Sequence, residues 1–137
     1  MLDQSTDYGR QAAERLDCDL IGWLATVRPS GQPDVVPVWF LWQDDEILIY
    51  SRANQQKLSN ITRNPRVALV VDDTKGGGDV VRIEGRASIV EGHPPATAMP
   101  AYIAKYAAAI ERIGYTPEGF ARDYPAAIRI TPTKIGR

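Results

Sequence analysis

The sequence holds one cysteine, Cys18, and one histidine, His93. No intramolecular disulfide can form, and a Cys/His zinc site built from one chain is excluded. No apolar run approaches the roughly 20 residues that cross a bilayer as a helix. The segment Met1-Leu2-Asp3-Gln4-Ser5 is polar and acidic, without the basic start and apolar centre of a secretion signal. A cytoplasmic protein without a membrane partner is therefore expected. An excess of charge is lacking too: 16 Lys+Arg stand against 17 Asp+Glu, a formal net charge of -1. No strong field draws nucleic acid or an anionic membrane. No Ser-His-Asp arrangement and no convincing carboxylate pair is present, so no catalytic residue is assigned. Gly76-Gly77-Gly78 lacks the flanking pattern of a Walker loop and reads as a connection. A chain without acid/base or nucleophile constellations fits an enzyme whose cofactor performs the chemistry.

What is present is an ordinary globular composition. Hydrophobic residues make up 44% and charged residues 24%, which supports a packed core rather than disorder. A length of 137 residues suits one domain, 1–137. The pattern predicts a short helix over 7–17, with Ala12, Ala13 and Leu16 on one face. A strand over 20–28, a turn at Pro29-Ser30-Gly31, a strand over 32–42 and a strand over 46–51 then read as a three-strand antiparallel meander. Asn54 is expected to cap a helix over 55–63, which Asn64-Pro65 ends. Strands over 66–72 and 80–90 follow, separated by a flexible loop at 75–79. The second alternates, with Val81, Ile83, Gly85, Ala87 and Ile89 on one face. A helix over 101–113, striped by Ile103, Tyr106, Ala107 and Ile110, stops at Gly114. Thr116-Pro117 starts a short helix, and 127–131 is the last strand. Six strands with tight links favour a small antiparallel barrel with peripheral helices.

One stretch points to a ligand. Aromatic residues crowd Val38-Trp39-Phe40-Leu41-Trp42, and cations stand where Ile49-Tyr50-Ser51-Arg52 hands over to the next helix. Trp39 and Phe40 must point to opposite faces, so one can be core while the other lines a groove. Pro37 removes a backbone donor, which suits an edge or a bulge. Lys57 in a first helical turn opposes the macrodipole. An anion held by Lys57, Arg52, the Ser51 hydroxyl and the free helix N–H groups would reverse that penalty. Solvated surface charge is the competing reading, and the residues alone leave both open. Cys18 reads as a small buried hydrophobe and His93 as a surface turn residue.

The chain also resembles the pyridoxamine 5'-phosphate oxidase-like split β-barrel superfamily, which includes flavin- and deazaflavin-dependent oxidoreductases. The matching stretches are Leu24-Ala25-Thr26-Val27-Arg28-x-x-Gly31-x-Pro33, Val36-Pro37-Val38-Trp39-Phe40, Ile49-Tyr50-Ser51 and Lys57-x-x-Asn60-Ile61-x-x-Asn64-Pro65-x-Val67-Ala68-Leu69. Ile83-x-Gly85-x-Ala87 and Ile128-Arg129-Ile130-Thr131-Pro132-x-Lys134 complete them. The resemblance implies a mainly β fold, a six-stranded antiparallel split barrel of the FMN-binding kind, paired as a homodimer with two cofactor sites in the dimer grooves. It implies that Tyr50, Ser51, Arg52, Gln56 and Lys57 hold the cofactor phosphate. The backbone around Pro37, Val38 and Trp39 would face the cofactor ring. The short chain and the Lys57-to-Pro65 spacing are similar to the branch that uses F420, with FMN as the alternative. The implied activity is hydride transfer between reduced F420 and a small organic substrate. An FMN-dependent oxidoreductase, or a non-catalytic protein that binds flavin, F420 or haem, is the rival. Many relatives end in an aromatic after the last basic residue, whereas this chain ends Ile135-Gly136-Arg137.

Overall fold

The computed structural model describes residues 2–72, 76 and 78–137. Helix α1 spans Asp7–Cys18, and the Thr6 side chain caps it by accepting from the Gly9 N–H. Strands β1 (Gly22–Val27), β2 (Pro33–Val38), β3 (Leu41–Gln43) and β4 (Glu46–Ser51) follow. Helix α2 covers Gln56–Arg63, then come β5 (Arg66–Asp72) and β6 (Val80–Ile89). Helix α3 (Pro100–Arg112), helix α4 (Pro117–Asp123) and strand β7 (Ala126–Gly136) complete the chain, with a 3-10 turn at Ala96–Ala98. Gly114 stops α3 with φ at 84°, a conformation that costs glycine little. Thr116 caps α4 by accepting from the Gly119 N–H. The last strand runs well past residue 131, where the sequence pattern ended it. Of the loop expected at 75–79, residues 75 and 77 lie outside the described residues.

The described residues form one antiparallel sheet of seven strands, ordered β2-β1-β5-β6-β7-β4-β3. The expected count was six, and the difference lies in one stretch. The strand expected over 32–42 is two strands. Its first half pairs with β1 as far as Val38, opposite Gly22. Its second half pairs with β4, starting with Leu41 opposite Leu48. The expected meander therefore does not form. Strands β2 and β3 are the two ends of the sheet, yet only Trp39 and Phe40 separate them. Three Cα steps reach at most about 11 Å. The sheet must curl until its ends are neighbours, and the result is a barrel with a split.

The backbone at the split needs partners, because it has left both ladders. Helix α3 supplies them. The Phe40 N–H donates to the Tyr106 hydroxyl at 2.7 Å. The Lys105 ammonium donates to the Phe40 carbonyl at 2.8 Å and to the Leu16 carbonyl at 3.2 Å. The single Tyr106 proton is shared between the carbonyls of Phe40 and Leu20, at 2.9 and 2.8 Å.

Two cores result. Inside the curl lie Leu24, Phe40, Ile47, Ile49, Leu69, Ile83, Ile128 and Ile130, closed by Leu16 of α1 and Ile61 of α2. Outside it, α3 and α4 lay Tyr102, Tyr106, Ile110 and Phe120 over Leu41, Leu48, Tyr50 and Ala127. Strand β4 is buried on both faces for this reason, whereas β6 alternates as its sequence predicts. The α3 stripe is shifted from expectation. Tyr102, Tyr106, Ala109 and Ile110 are buried, while Ala107 is exposed. Cys18, expected to be buried, is exposed at the end of α1.

Candidate functional site

A groove of about 390 Å³ opens where β2, β4, α2, α3 and α4 meet. Its volume falls in the range of small-molecule sites, about 300–1,000 Å³. Seven of the eight residues expected from the sequence line it: Pro37, Val38, Trp39, Tyr50, Ser51, Arg52 and Lys57. Pro37 sits on edge strand β2, as its missing N–H requires. Phe40 is fully buried and Trp39 lines the groove, the division expected of the pair, although both lie between strands rather than in one.

Gln56 is the exception. Its Nε2 donates to Asn60 Oδ1 at 2.7 Å, and Gln55 lines the groove in its place. The helix start explains the exchange. Asn54 is not the cap: it holds a left-handed φ of 63°, and Gln55 is the residue with extended backbone before α2. No side chain caps this helix, and its first turn holds no acidic residue. Lys57 sits in that turn, half-buried, and burial lowers its pKa below the ordinary lysine range. Among the described residues no hydrogen bond or ion pair answers its charge. An unpaired cation at the positive end of a helix is a costly arrangement unless an anion joins it.

The other groove charges are occupied. Arg52 donates to the Tyr115 hydroxyl at 2.8 Å and lies 4.7 Å from the centroid of the Tyr124 ring. The buried Ser51 hydroxyl donates to the Arg52 carbonyl at 2.8 Å. Tyr50 donates to the Pro94 carbonyl at 2.8 Å, and burial pushes its hydroxyl up to about 12. His93, read as a surface turn residue, packs edge-on against Tyr50 with ring centroids 5.9 Å apart.

The groove wall is aromatic. Trp39 stacks on Tyr106 at 4.8 Å and on Phe120 at 5.5 Å between centroids. Tyr102 closes the set, 4.9 Å from Tyr106 and 6.0 Å from Phe120. The Trp39 ring is thus partly covered by protein. Burial drives the Tyr102 hydroxyl far above the ordinary tyrosine range, so it stays protonated. That hydroxyl is buried and has no hydrogen-bond partner among the described residues. Sequence reasoning missed Ile21, Gln55, Tyr102, Ile113, Phe120 and Tyr124 as groove residues. The i, i+4 pairs Tyr102/Tyr106 and Phe120/Tyr124 were the available signal, since such pairs share a helix face. No group of His, Cys, Asp and Glu able to hold a metal occurs among the described residues.

The sequence pattern described as pyridoxamine 5'-phosphate oxidase matches residues 9–136. The chain belongs to this family. The pyridoxamine 5'-phosphate oxidase relationship read from the sequence motifs is thereby borne out, and the curled sheet is the family's split barrel. Among solved structures, one described as an F420 reductase is 30% identical, with 90% of this chain and 94% of that one covered and a TM-score of 0.67. A FAD-binding protein from Mesorhizobium loti is 20% identical, covering 92% and 90%, with a TM-score of 0.68. A haem storage protein from Vibrio cholerae, HutZ, is 20% identical, covering 97% and 91%, with a TM-score of 0.61. The last two share the fold alone. No curated protein sequence matches the chain. Proteins of this fold thus include ones described with different cofactors, and the groove's own residues must discriminate. No helix among the described residues is long and apolar enough to cross a membrane.

Proposed function

We propose that this chain is an F420-dependent reductase that moves a hydride between the reduced deazaflavin and a small organic substrate. The observation that carries the reading is Lys57: a half-buried cation without a partner among the described residues, at an uncapped helix N-terminus, inside an aromatic groove. A phosphorylated planar group satisfies both ends of that site. Lys57 and the first-turn N–H groups of α2 would hold the phosphate, beside Ser51 and Arg52. The backbone of Pro37, Val38 and Trp39 would run along the ring, with Tyr50 at its side. When bound, the deazaflavin supplies the hydride. The aromatic wall would shield it from water, and Tyr50 stays neutral at working pH because burial holds its hydroxyl at about 12. The identity of 30% to an F420 reductase favours F420. FMN presents a phosphate and a flat ring as well, and it is the second reading.

The same proposal includes a homodimer. In β1 and β2, Trp23 stands opposite Pro37 and Ala25 opposite Val35, all on the outer face of the sheet. Val35 is 56% and Trp23 51% exposed, and Val70 and Ala68 of β5 continue the face. The exposed patch is narrower than the whole stretch 35–42, because Val38, Phe40 and Leu41 are buried. A second copy laid on it by two-fold symmetry would cover both patches. Absorbance titration of the purified protein with F420 and FMN, side by side, tests the cofactor. Tight binding of F420 over FMN is expected, followed by oxidation of reduced F420 when an acceptor is added. Binding without turnover would mark a carrier, and binding of neither would end the reading. Light scattering that shows a monomer at micromolar concentration would reject the dimer.

A further inference from the structure

Two of the sequence motifs meet at a point outside the groove. Asn60, in Lys57-x-x-Asn60-Ile61, is fully buried, and its Nδ2 donates to Thr26 Oγ1 at 2.9 Å. Thr26 belongs to β1 and is 2% exposed. Gln56 Nε2 donates to Asn60 Oδ1 at 2.7 Å, so the chain of bonds runs from the sheet to the first turn of α2. A buried amide is costly to leave unsatisfied. The bonds therefore admit one register of this helix against the sheet.

Ile61 and the partly buried Leu58 anchor the helix's apolar side in the core, and the polar bonds add direction to that contact. Helix α2 has eight residues, no side-chain cap, and only Asn60 and Ile61 buried. Asn54, just before it, is left-handed and gives no cap either. We infer that Thr26, Asn60 and Gln56 are positioning residues for the anion end of the groove. They hold the first turn of α2, and with it Lys57, at the place a phosphate occupies. The inference rests on the phosphate-site reading above and adds a role for Gln56 by support rather than contact. A site tuned to a charged group needs such a fixed surround, because a displacement of an ångström weakens it.

The test compares F420 and FMN, each with its phosphate-free counterpart: the deazaflavin core and riboflavin. The wild type should bind the phosphorylated form more tightly. Thr26→Val keeps the side-chain shape and removes the acceptor, and Gln56→Met removes the outer donor. Each should reduce the preference for the phosphorylated form about threefold to tenfold, the effect of one neutral hydrogen bond. Affinity for the phosphate-free forms should not change. The double variant should lose no more than the larger single effect, because both act on one chain of bonds. A loss in Gln56→Met with none in a folded Thr26→Val would mean that Gln56 touches the anion directly, and would overturn the inference. Full preference retained in Gln56→Met would overturn it too, and this exposed position keeps the test open if Thr26→Val fails to fold. A wild type without any preference for the phosphorylated form would overturn the phosphate site and the inference together.

Discussion

Replacing Lys57 by methionine removes the charge and keeps the stem that packs in the groove. Two effects of opposite sign are expected. The free protein loses an unpaired cation from the positive end of α2, which should stabilise it by about 0.3–1 kcal/mol. For a domain of this size that raises Tm by about 1–4 °C. Burial already lowers the Lys57 pKa, in line with a charge that the free protein tolerates rather than uses. The complex loses a charge-assisted contact, worth about 1.5–3 kcal/mol. Lys57 is only half-buried, so solvent screens it and the lower part of that range applies. The dissociation constant for F420 or FMN should therefore rise about tenfold to thirtyfold. Titration by absorbance and thermal melting of both proteins read the two effects. Equal affinities in folded proteins, or a less stable free variant, would refute the reasoning. Either result would return Lys57 to the class of solvated surface charges.

Tyr106→Phe should cost about 1–3 kcal/mol in urea unfolding, because it leaves the buried Phe40 N–H at the split without an acceptor. Tyr102→Phe should cost nothing or stabilise slightly, since the hydroxyl it removes has no partner among the described residues; a clear loss would reveal one. Burial holds the Lys105 ammonium down at about 8, below the ordinary lysine range. The unfolded chain then binds the extra proton above that pH, so stability should rise between about pH 8 and the tyrosine range near pH 10. Lys105→Met should flatten that rise when melting temperatures are compared across the window.

The local elements were legible because their signals are local. Strands β4 and β5 follow from short apolar, branched runs and β6 from its alternation, and Asn64-Pro65, Gly114 and Thr116-Pro117 ended or began helices through backbone restrictions that any context respects. The Lys57 end of the groove was legible for the same reason: Ser51, Arg52 and Lys57 are close in sequence, at one strand-to-helix junction. The family motifs carried the rest of the site and the split barrel itself.

What the sequence could not show was where a continuous β-prone run changes partners. Pro37 in Val36-Pro37-Val38-Trp39-Phe40-Leu41-Trp42 hints at an edge, but nothing there places the change of partner at Trp39 and Phe40. The break exists because Tyr106 and Lys105, far along the chain, satisfy the Phe40 backbone that both ladders abandon. Helix α3 also decided the inner wall of the groove, by laying Tyr102 against Trp39's neighbours, and Asn60 decided that the Gln56 amide bonds to its own helix rather than lining the groove. Period and punctuation are properties of a few neighbouring residues and can be read along the chain. Which distant donor meets which stranded carbonyl depends on how the sheet curls, and only the folded molecule brings those groups together.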